Sequence, residues 1–497
     1  MASGGRSARL SGRTPRARGA LVALLCALQA PIAWNAVRHD PRIGYDAERH
    51  LAYAHVLSNG RLPGPRDTTQ FYSPPLPYLV PAAAIALADA SRETAAKVAQ
   101  LFQVLLSIAT ALALLALCER VRPGDVALKA IALLLCALPA VYPRTFAQVR
   151  GEPYVTALAA VAAVQLVDLV AARRPRPSAA ALFGAVCGLL ALSRQLGAVL
   201  AVAALAFAVV IGLRMRALRL LACGALAAAV AAAVGGWFYV AAATRTGRPL
   251  AFNKQPHETS LRELSEVHEL GVGWPAIVRS PGRPEFQTQP LAILYADWWG
   301  DYFYYFLFRG RDPAGNCLAG GLLGDWAARG IPPELDTNHA EMAAYLGRWN
   351  AIALTPSLLC AAGIALGCRR LAAALVRADA AARTIALAFA VVVVAASVVA
   401  VVALVVRFGV GLDRDSFKAS YLLPCAPFLA LLGGEAARVL AARSAIAGRV
   451  AVAALVGAAL YGAAATVTRW PMPLACTPPW WDRPPAARVV GPGSAAR

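Results

Sequence analysis

Charge is what this sequence has least of. Of its 497 residues only 15% are Asp, Glu, Lys or Arg, against roughly 25% in a soluble chain. With 59% hydrophobic residues and a mean hydropathy of +0.56, a soluble enzyme is excluded. The ten cysteines form no CxxC and no Cys/His metal spacing, so no metal or dithiol site is written in them. Most of them, such as Cys136, Cys187, Cys223 and Cys360, fall within apolar runs, where a thiol acts as a small hydrophobe. Charges inside those runs are nearly absent, Asp168 being an exception, and no internal repeat is visible. A transporter would be expected to show both features. The net charge of +21 does not point to nucleic acid, because the basic residues sit in short connections between apolar runs.

What is there is a series of apolar runs near the ~20 residues that a helix needs to cross a bilayer. The chain reads as an all-α polytopic membrane protein. The first run, 19–36, follows Arg6, Arg9, Arg13, Arg16 and Arg18. That is how a signal peptide begins, but no small-x-small cleavage site precedes the polar segment, so the run is read as an uncleaved first span. The stretch 75–90 is apolar but short and holds Pro75, Pro77 and Pro81; it is read as a helix lying against the interface. Further spans are expected at 92–118, 126–142, 153–171, 178–193, 196–213, 217–243, 350–367, 384–406, 420–436 and 446–467, eleven crossings in all. The positive-inside rule supports this parity. Connections assigned to the cytoplasm carry Arg120, Arg122, Arg173, Arg174, Arg176, Arg214, Arg216, Arg219, Arg369, Arg370, Arg377, Arg383, Arg438, Arg443 and Arg449. Their acids are only Glu119, Asp125, Asp379 and Glu435. The division that follows is a basic cytoplasmic N-terminus 1–18, a catalytic module 19–243 with an exoplasmic loop 37–91, a long exoplasmic loop 244–349 after the seventh span, a second module 350–467 and an exoplasmic Pro-rich tail 468–497. The expected location is a bacterial inner membrane, with the C-terminus and the polar chemistry on the periplasmic side.

The polar segment 45–78, YDAERHLAYAHVLSNGRLPGPRDTTQFYSPPLPY, organises the rest. Its first part, 45–59, is an amphipathic helix candidate stopped by Asn59-Gly60. A carboxylate at the aqueous edge of a membrane can take a proton from an acceptor hydroxyl; Asp46 is the candidate base, with Glu48 beside it. Cations at helix ends can stabilise a leaving phosphate, and Arg194, Lys418 and Arg150 stand at such ends. The stretch 295–306, YADWWGDYFYYF, sets aromatic faces beside Asp297 and Asp301, as a sugar site would; Trp298 and Trp299 equally suit interfacial anchors. His257 and Glu258 are further acceptor-side candidates. Other readings stand beside these. Asp46 suits the N-terminal dipole of a helix. Arg194 and Lys418 suit snorkelling. Arg150 and Glu152 suit a pair with each other. Asp46, Glu48 and His50 are the candidates for a divalent cation, although three residues within five helical positions do not all share a face. Cys317 and Cys476 fall in exoplasmic segments; in an oxidising periplasm a disulfide between them is expected, with two free thiols as the alternative because spacing does not fix geometry.

The motif Tyr-Asp-x-Glu-x-His-x-x-Tyr, then Asn-Gly-Arg-Leu-Pro, then Gln-x-x-x-Pro-Pro-Leu-x-Tyr resembles the first exoplasmic loop of GT-C superfamily glycosyltransferases. These include protein O-mannosyltransferases and lipid A aminoarabinose transferases. Arg150-Gly-Glu152-Pro, Leu192-Ser-Arg194-Gln195, Trp237-x-Tyr239, Pro249-Leu, Phe252-Asn253 and Lys418-Ala-Ser-Tyr421-Leu-Leu-Pro424 resemble later family positions. The resemblance covers most of 19–436. It implies a GT-C-like bundle and an inverting transfer from a polyprenyl-phosphate-linked sugar to a hydroxyl of a glycan, lipid or protein. On this reading Asp46 is the base, Arg194, Lys418 and Arg150 hold the donor phosphate, and His50, Gln70, Tyr72, Glu152, Gln195, Asp297, Trp298 and Asp301 face the substrates. No cofactor is certain; some relatives use a divalent cation. Two departures bear on the acceptor. Many relatives have Asp-Glu where this chain has Asp46-Ala47, and Ser73 stands where some aminoarabinose transferases carry lysine. The rival readings are a flippase for lipid-linked sugars and an inactive subunit of an envelope complex.

Overall fold

The computed structural model describes residues 15–252, 274–279, 281–282, 289–308, 310–311, 317–318, 334–335, 339–408 and 418–469. The expected Cys317–Cys476 bridge, His257 and Glu258 lie outside the described side chains. A chain with no water beside its backbone must satisfy each N–H and C=O within its own segment, and long Ala/Val/Leu runs do this as helices. In order these are α1 (Pro15–Arg38), α2 (Ala47–Ser58), α3 (Leu76–Ala88), α4 (Arg92–Val121), α5 (Val126–Ala137), α6 (Val141–Thr145), α7 (Glu152–Ala171), α8 (Pro177–Ala191), α9 (Gln195–Arg214) and α10 (Leu218–Ala231). A π turn, Ala232–Gly236, carries α10 on into α11 (Trp237–Thr246). Then come α12 (Trp274–Arg279), α13 (Pro290–Trp299), α14 (His339–Ile352), α15 (Leu354–Arg377), α16 (Ala382–Phe408), α17 (Ala426–Arg443) and α18 (Ala445–Gly462). Among the described residues a small antiparallel sheet lies in the long loop. Gly310–Arg311 pairs with both Cys317–Leu318 and Glu334–Leu335.

The chain is a polytopic helical membrane protein. Among the described residues nine helices are long and apolar enough to cross a bilayer. The crossings expected at 126–142 and 178–193 fall on α5 and α8, of 12 and 15 residues, shorter than the ~20 that a full crossing takes. The helix α3 has 13 residues and is shorter than a crossing too. Its first N–H, on Leu76, donates to the Leu192 carbonyl at the end of α8 (3.1 Å), which ties it to the rim of the bundle.

Small residues let the helices approach closely. A side chain at Gly363 would meet the Leu432 backbone at 2.2 Å, so α15 and α17 touch backbone to backbone there. Polar residues segregate to the two ends. At one end Arg122 holds Glu435 (2.6 Å), joined by Arg383; Arg438 holds Asp125 (2.8 Å) and Arg120 holds Asp168 (2.7 Å). The other end gathers the starts of α2, α3, α7 and α9 together with α13 and the 3-10 turn Ala419–Cys425.

Candidate active site

Asp46 immediately precedes the helix α2 and has φ +56°. Left-handed backbone is uncommon outside glycine, and it concentrates at functional sites. The Asp46 carboxylate makes no cap bond to its own helix. Instead Oδ1 accepts from Arg49 Nη1 (3.1 Å), and Oδ2 lies 3.6 Å from Lys418 Nζ. Lys418 sits 4.8 Å from the centre of the Tyr45 ring, and the Arg150 guanidinium 5.0 Å from the same ring. Burial pushes the Asp46 carboxyl up, but Lys418, Arg49 and Arg150 outweigh it and hold the group well below the usual carboxylate range. Asp46 is therefore ionised at neutral pH. Burial lowers Lys418, but Asp46, foremost among its neighbours, raises it and the net direction is up, so the ammonium keeps its proton.

Next to this pair is a buried ionic triad. Glu152 opens α7, where the helix dipole favours an acid. Its Oε1 and Oε2 accept from Arg150 Nη2 (2.7 Å) and Nε (3.1 Å). Arg194 Nη2 also donates to Oε1 (2.7 Å), and its Nη1 reaches Ser73 Oγ (3.3 Å). Two guanidiniums share one carboxylate, which leaves a buried positive excess. Arg150 Nη1 has no hydrogen-bond partner among the described residues although it is buried. An anion would satisfy both conditions.

The stem of Arg194 lies across Gly151, where a Cβ would fall 2.5 Å from its Cγ and 2.6 Å from the Ser193 carbonyl. Gly151→Ala is therefore expected to push Arg194 off Glu152. Since a misplacement near 1 Å can cost about 100-fold, donor kcat/KM should fall about 10- to 100-fold; an unchanged value in steady-state assays would show that the placement of Arg194 is unimportant.

From this triad a groove of about 360 Å³ runs along the bundle. Its head is polar, with Arg194, Gln195, Arg248, Arg407, Tyr72 and Tyr421. Its walls are apolar, with Val155 of α7, Leu196 and Val199 of α9, and Ala400, Val401, Ala403 and Leu404 of α16. Tyr421 joins groove to base, because it lines the groove and its N–H donates to the Lys418 carbonyl (3.1 Å).

Several expected site residues have other places. Asp297 and Asp301 are buried and their oxygens are occupied. Asp301 accepts from Arg144 Nη1 (2.8 Å) and from the N–H groups of Tyr305, Phe306 and Leu307. Within the protein they hold a loop in place. Trp298 is half-buried against the core. His50 bonds Tyr78 through Nδ1 (2.7 Å), and burial keeps it neutral by lowering its pKa to about 3. Gln70 is buried and accepts from Ser73 (3.3 Å), while Gln195 bonds the carbonyls of Tyr72 (3.4 Å) and Ala251. Glu48 is half-buried in the first turn of α2. Asp46, Glu48 and His50 do not assemble as metal ligands; among the described residues no three His, Cys, Asp or Glu groups do. Lys418 and Arg49 already stand where a cation would compensate Asp46. Sequence reading passed over Arg144, Arg248 and Arg407. The last two could have been noticed as arginines at the ends of apolar spans on the polar side.

No protein-family model and no curated protein sequence matches the chain. Three solved structures are similar. One is an Archaeoglobus fulgidus oligosaccharyltransferase in complex with Zn and sulfate, at 13% identity and TM-score 0.47, covering 91% of this chain and 53% of that one. Another is the oligosaccharyltransferase AglB from Archaeoglobus fulgidus in complex with an inhibitory peptide and a dolichol-phosphate, at 13% identity and TM-score 0.48, covering 91% and 56%. The third is ArnT from Cupriavidus metallidurans in the apo state, at 15% identity and TM-score 0.37, covering 84% and 78%. This chain spans about half the length of the two oligosaccharyltransferase structures.

Proposed function

We propose that this chain is a GT-C-type membrane glycosyltransferase that moves a hexose or pentose from a polyprenyl-phosphate donor to an acceptor hydroxyl with inversion. The observation that carries this reading is the groove. An apolar channel that ends in arginines, beside an ionised carboxylate, suits a long hydrocarbon with a phosphate head and a reacting sugar. The prenyl chain lies between α9 and α16. Arg194 and Arg150 hold the phosphate, with Arg248 and Arg407 at the groove head. The acceptor oxygen attacks the anomeric carbon from the face opposite the phosphate. Its proton passes to Asp46. The bond from the anomeric carbon to the phosphate oxygen breaks, and its electron pair leaves on the phosphate, which needs cations and no proton. The acceptor is a hydroxyl of a glycan, lipid or protein. The end that holds Arg120, Arg122, Arg383 and Arg438 faces the cytoplasm of a bacterial cell and the site faces the periplasm.

The test is purified protein with a panel of polyprenyl-phosphate sugars and cell-envelope extract as acceptor. Turnover of a donor is expected; none with any donor would overturn the reading. The pH profile gives a second check. Asp46 must be unprotonated to act, and Lys418 keeps its pKa low. The acid limb that Asp46 sets is thus expected below the ordinary carboxylate range. In Lys418→Gln burial acts with less opposition, so that limb should move to higher pH and activity at pH 5 should fall more than at pH 8. A limb that stays in place would remove Asp46 as the titrating base.

A further inference from the structure

Asp297 does not line the groove, and yet it bonds the chain neighbours of both members of the proposed pair, Asp46 and Lys418. It lies fully buried near the end of α13. Oδ1 accepts from the Tyr45 hydroxyl at 3.0 Å. Oδ2 accepts from the Ala419 N–H at 2.8 Å. Tyr45 immediately precedes Asp46, and Ala419 immediately follows Lys418. One carboxylate thus ties together two segments that are remote in sequence, one next to the proposed base and the other next to the cation beside it.

The carboxylate is itself held. Arg144 Nη2 donates to the Asp297 carbonyl at 2.6 Å and lies 3.4 Å from Oδ1. Its Nη1 anchors Asp301, which three backbone N–H groups fix in turn. Tyr45 meets the rings of Phe303 and Tyr305 edge-on, at 5.2 and 4.6 Å, and carries Lys418 and Arg150 over its own ring. From this we infer that Asp297 is a positioning residue, a two-armed clamp that sets the separation of Asp46 from Lys418. The inference rests on the reading of those two residues as base and cation. It replaces a sugar-contact role for Asp297 with one exerted through Tyr45 and Ala419.

Replacement chemistry separates a clamp from a charge. Asparagine keeps both arms, because its carbonyl oxygen can accept from the Ala419 N–H while its amide donates to the Tyr45 hydroxyl. Alanine keeps neither. Tyr45→Phe removes one arm alone. Each variant is measured in the full-length protein by steady-state kinetics, and by hydrogen–deuterium exchange of peptides covering 43–49 and 418–423.

In Asp297→Ala both peptides are expected to exchange faster, and kcat to fall about 10- to 100-fold, the scale of a misplaced reacting group, with donor KM little changed. Asp297→Asn should stay near wild type in both readouts. Tyr45→Phe should loosen 43–49 only, and should add little to the kinetic loss in Asp297→Ala. Should the alanine variant fail to fold, the tyrosine variant still decides: unchanged exchange in 43–49 overturns the clamp. Asparagine as damaging as alanine would also overturn it, since charge and not geometry would then matter. Paired loosening in a protein that transfers no sugar would keep the clamp and reject the glycosyltransferase reading.

Discussion

Asp46→Asn is expected to lower kcat about 100-fold or more, the lower end of what a general base supplies, while the protein inserts and melts like wild type. Asparagine is nearly isosteric and tolerates the left-handed backbone at this position about as well as aspartate does. It can still accept from Arg49, so the turn into α2 is preserved. What it loses is the ability to take the acceptor proton. Lys418 loses its countercharge but keeps the Tyr45 ring beneath it. The change therefore isolates proton transfer from folding. Single-turnover transfer from a donor that wild type uses, normalised to folded protein, reads this directly. A wild-type rate in the variant would remove Asp46 from the chemistry and pass the search to Glu48.

How much of this was legible in the sequence depends on how local each signal is. Apolar runs announce helices because bilayer thickness sets their length. The separation of arginines from the aromatic and acidic segments predicts two chemically different ends, and the structure shows them. Asp46, Arg150, Glu152, Arg194 and Lys418 could be selected because each is a charge at the edge of an apolar run, and the structure brings them together. Asp297 and Asp301 look the same in the sequence, next to tryptophan and tyrosine. Only the fold shows that Arg144, some 150 residues earlier, takes their charge into a buried network. The runs expected to cross at 126–142 and 178–193 hold helices shorter than the runs themselves. Hydropathy continues past the residue where the helix ends, as at Ala137, so an apolar run overstates helix length. The alternative that Arg150 and Glu152 simply pair is correct as far as it goes; the third member, Arg194, comes from a different helix turn and is invisible to spacing.

Arg194→Ala is expected to cost about 10²–10³ in kcat, the range seen when one preorganised donor to a developing anion is removed. The fold should tolerate it. Glu152 keeps its two-point contact with Arg150, so no buried acid is left without a partner. Ser73 loses only a long contact. The damage falls on the phosphate, whose charge grows as its bond to the sugar breaks, so kcat should fall more than donor affinity does. Arg194→Lys should lie between the two, because an ammonium has no planar fork to reach Glu152 and Ser73 at once. The measurement pairs kcat with equilibrium binding of the sugar-free polyprenyl phosphate, which carries the same head and tail without the reaction. Weaker binding with kcat unchanged would mean that Arg194 only anchors the ground state. The excess positive charge of the triad would then serve docking, and stabilisation of the leaving group would fall to Arg150, whose Nη1 is a buried donor without a partner among the described residues.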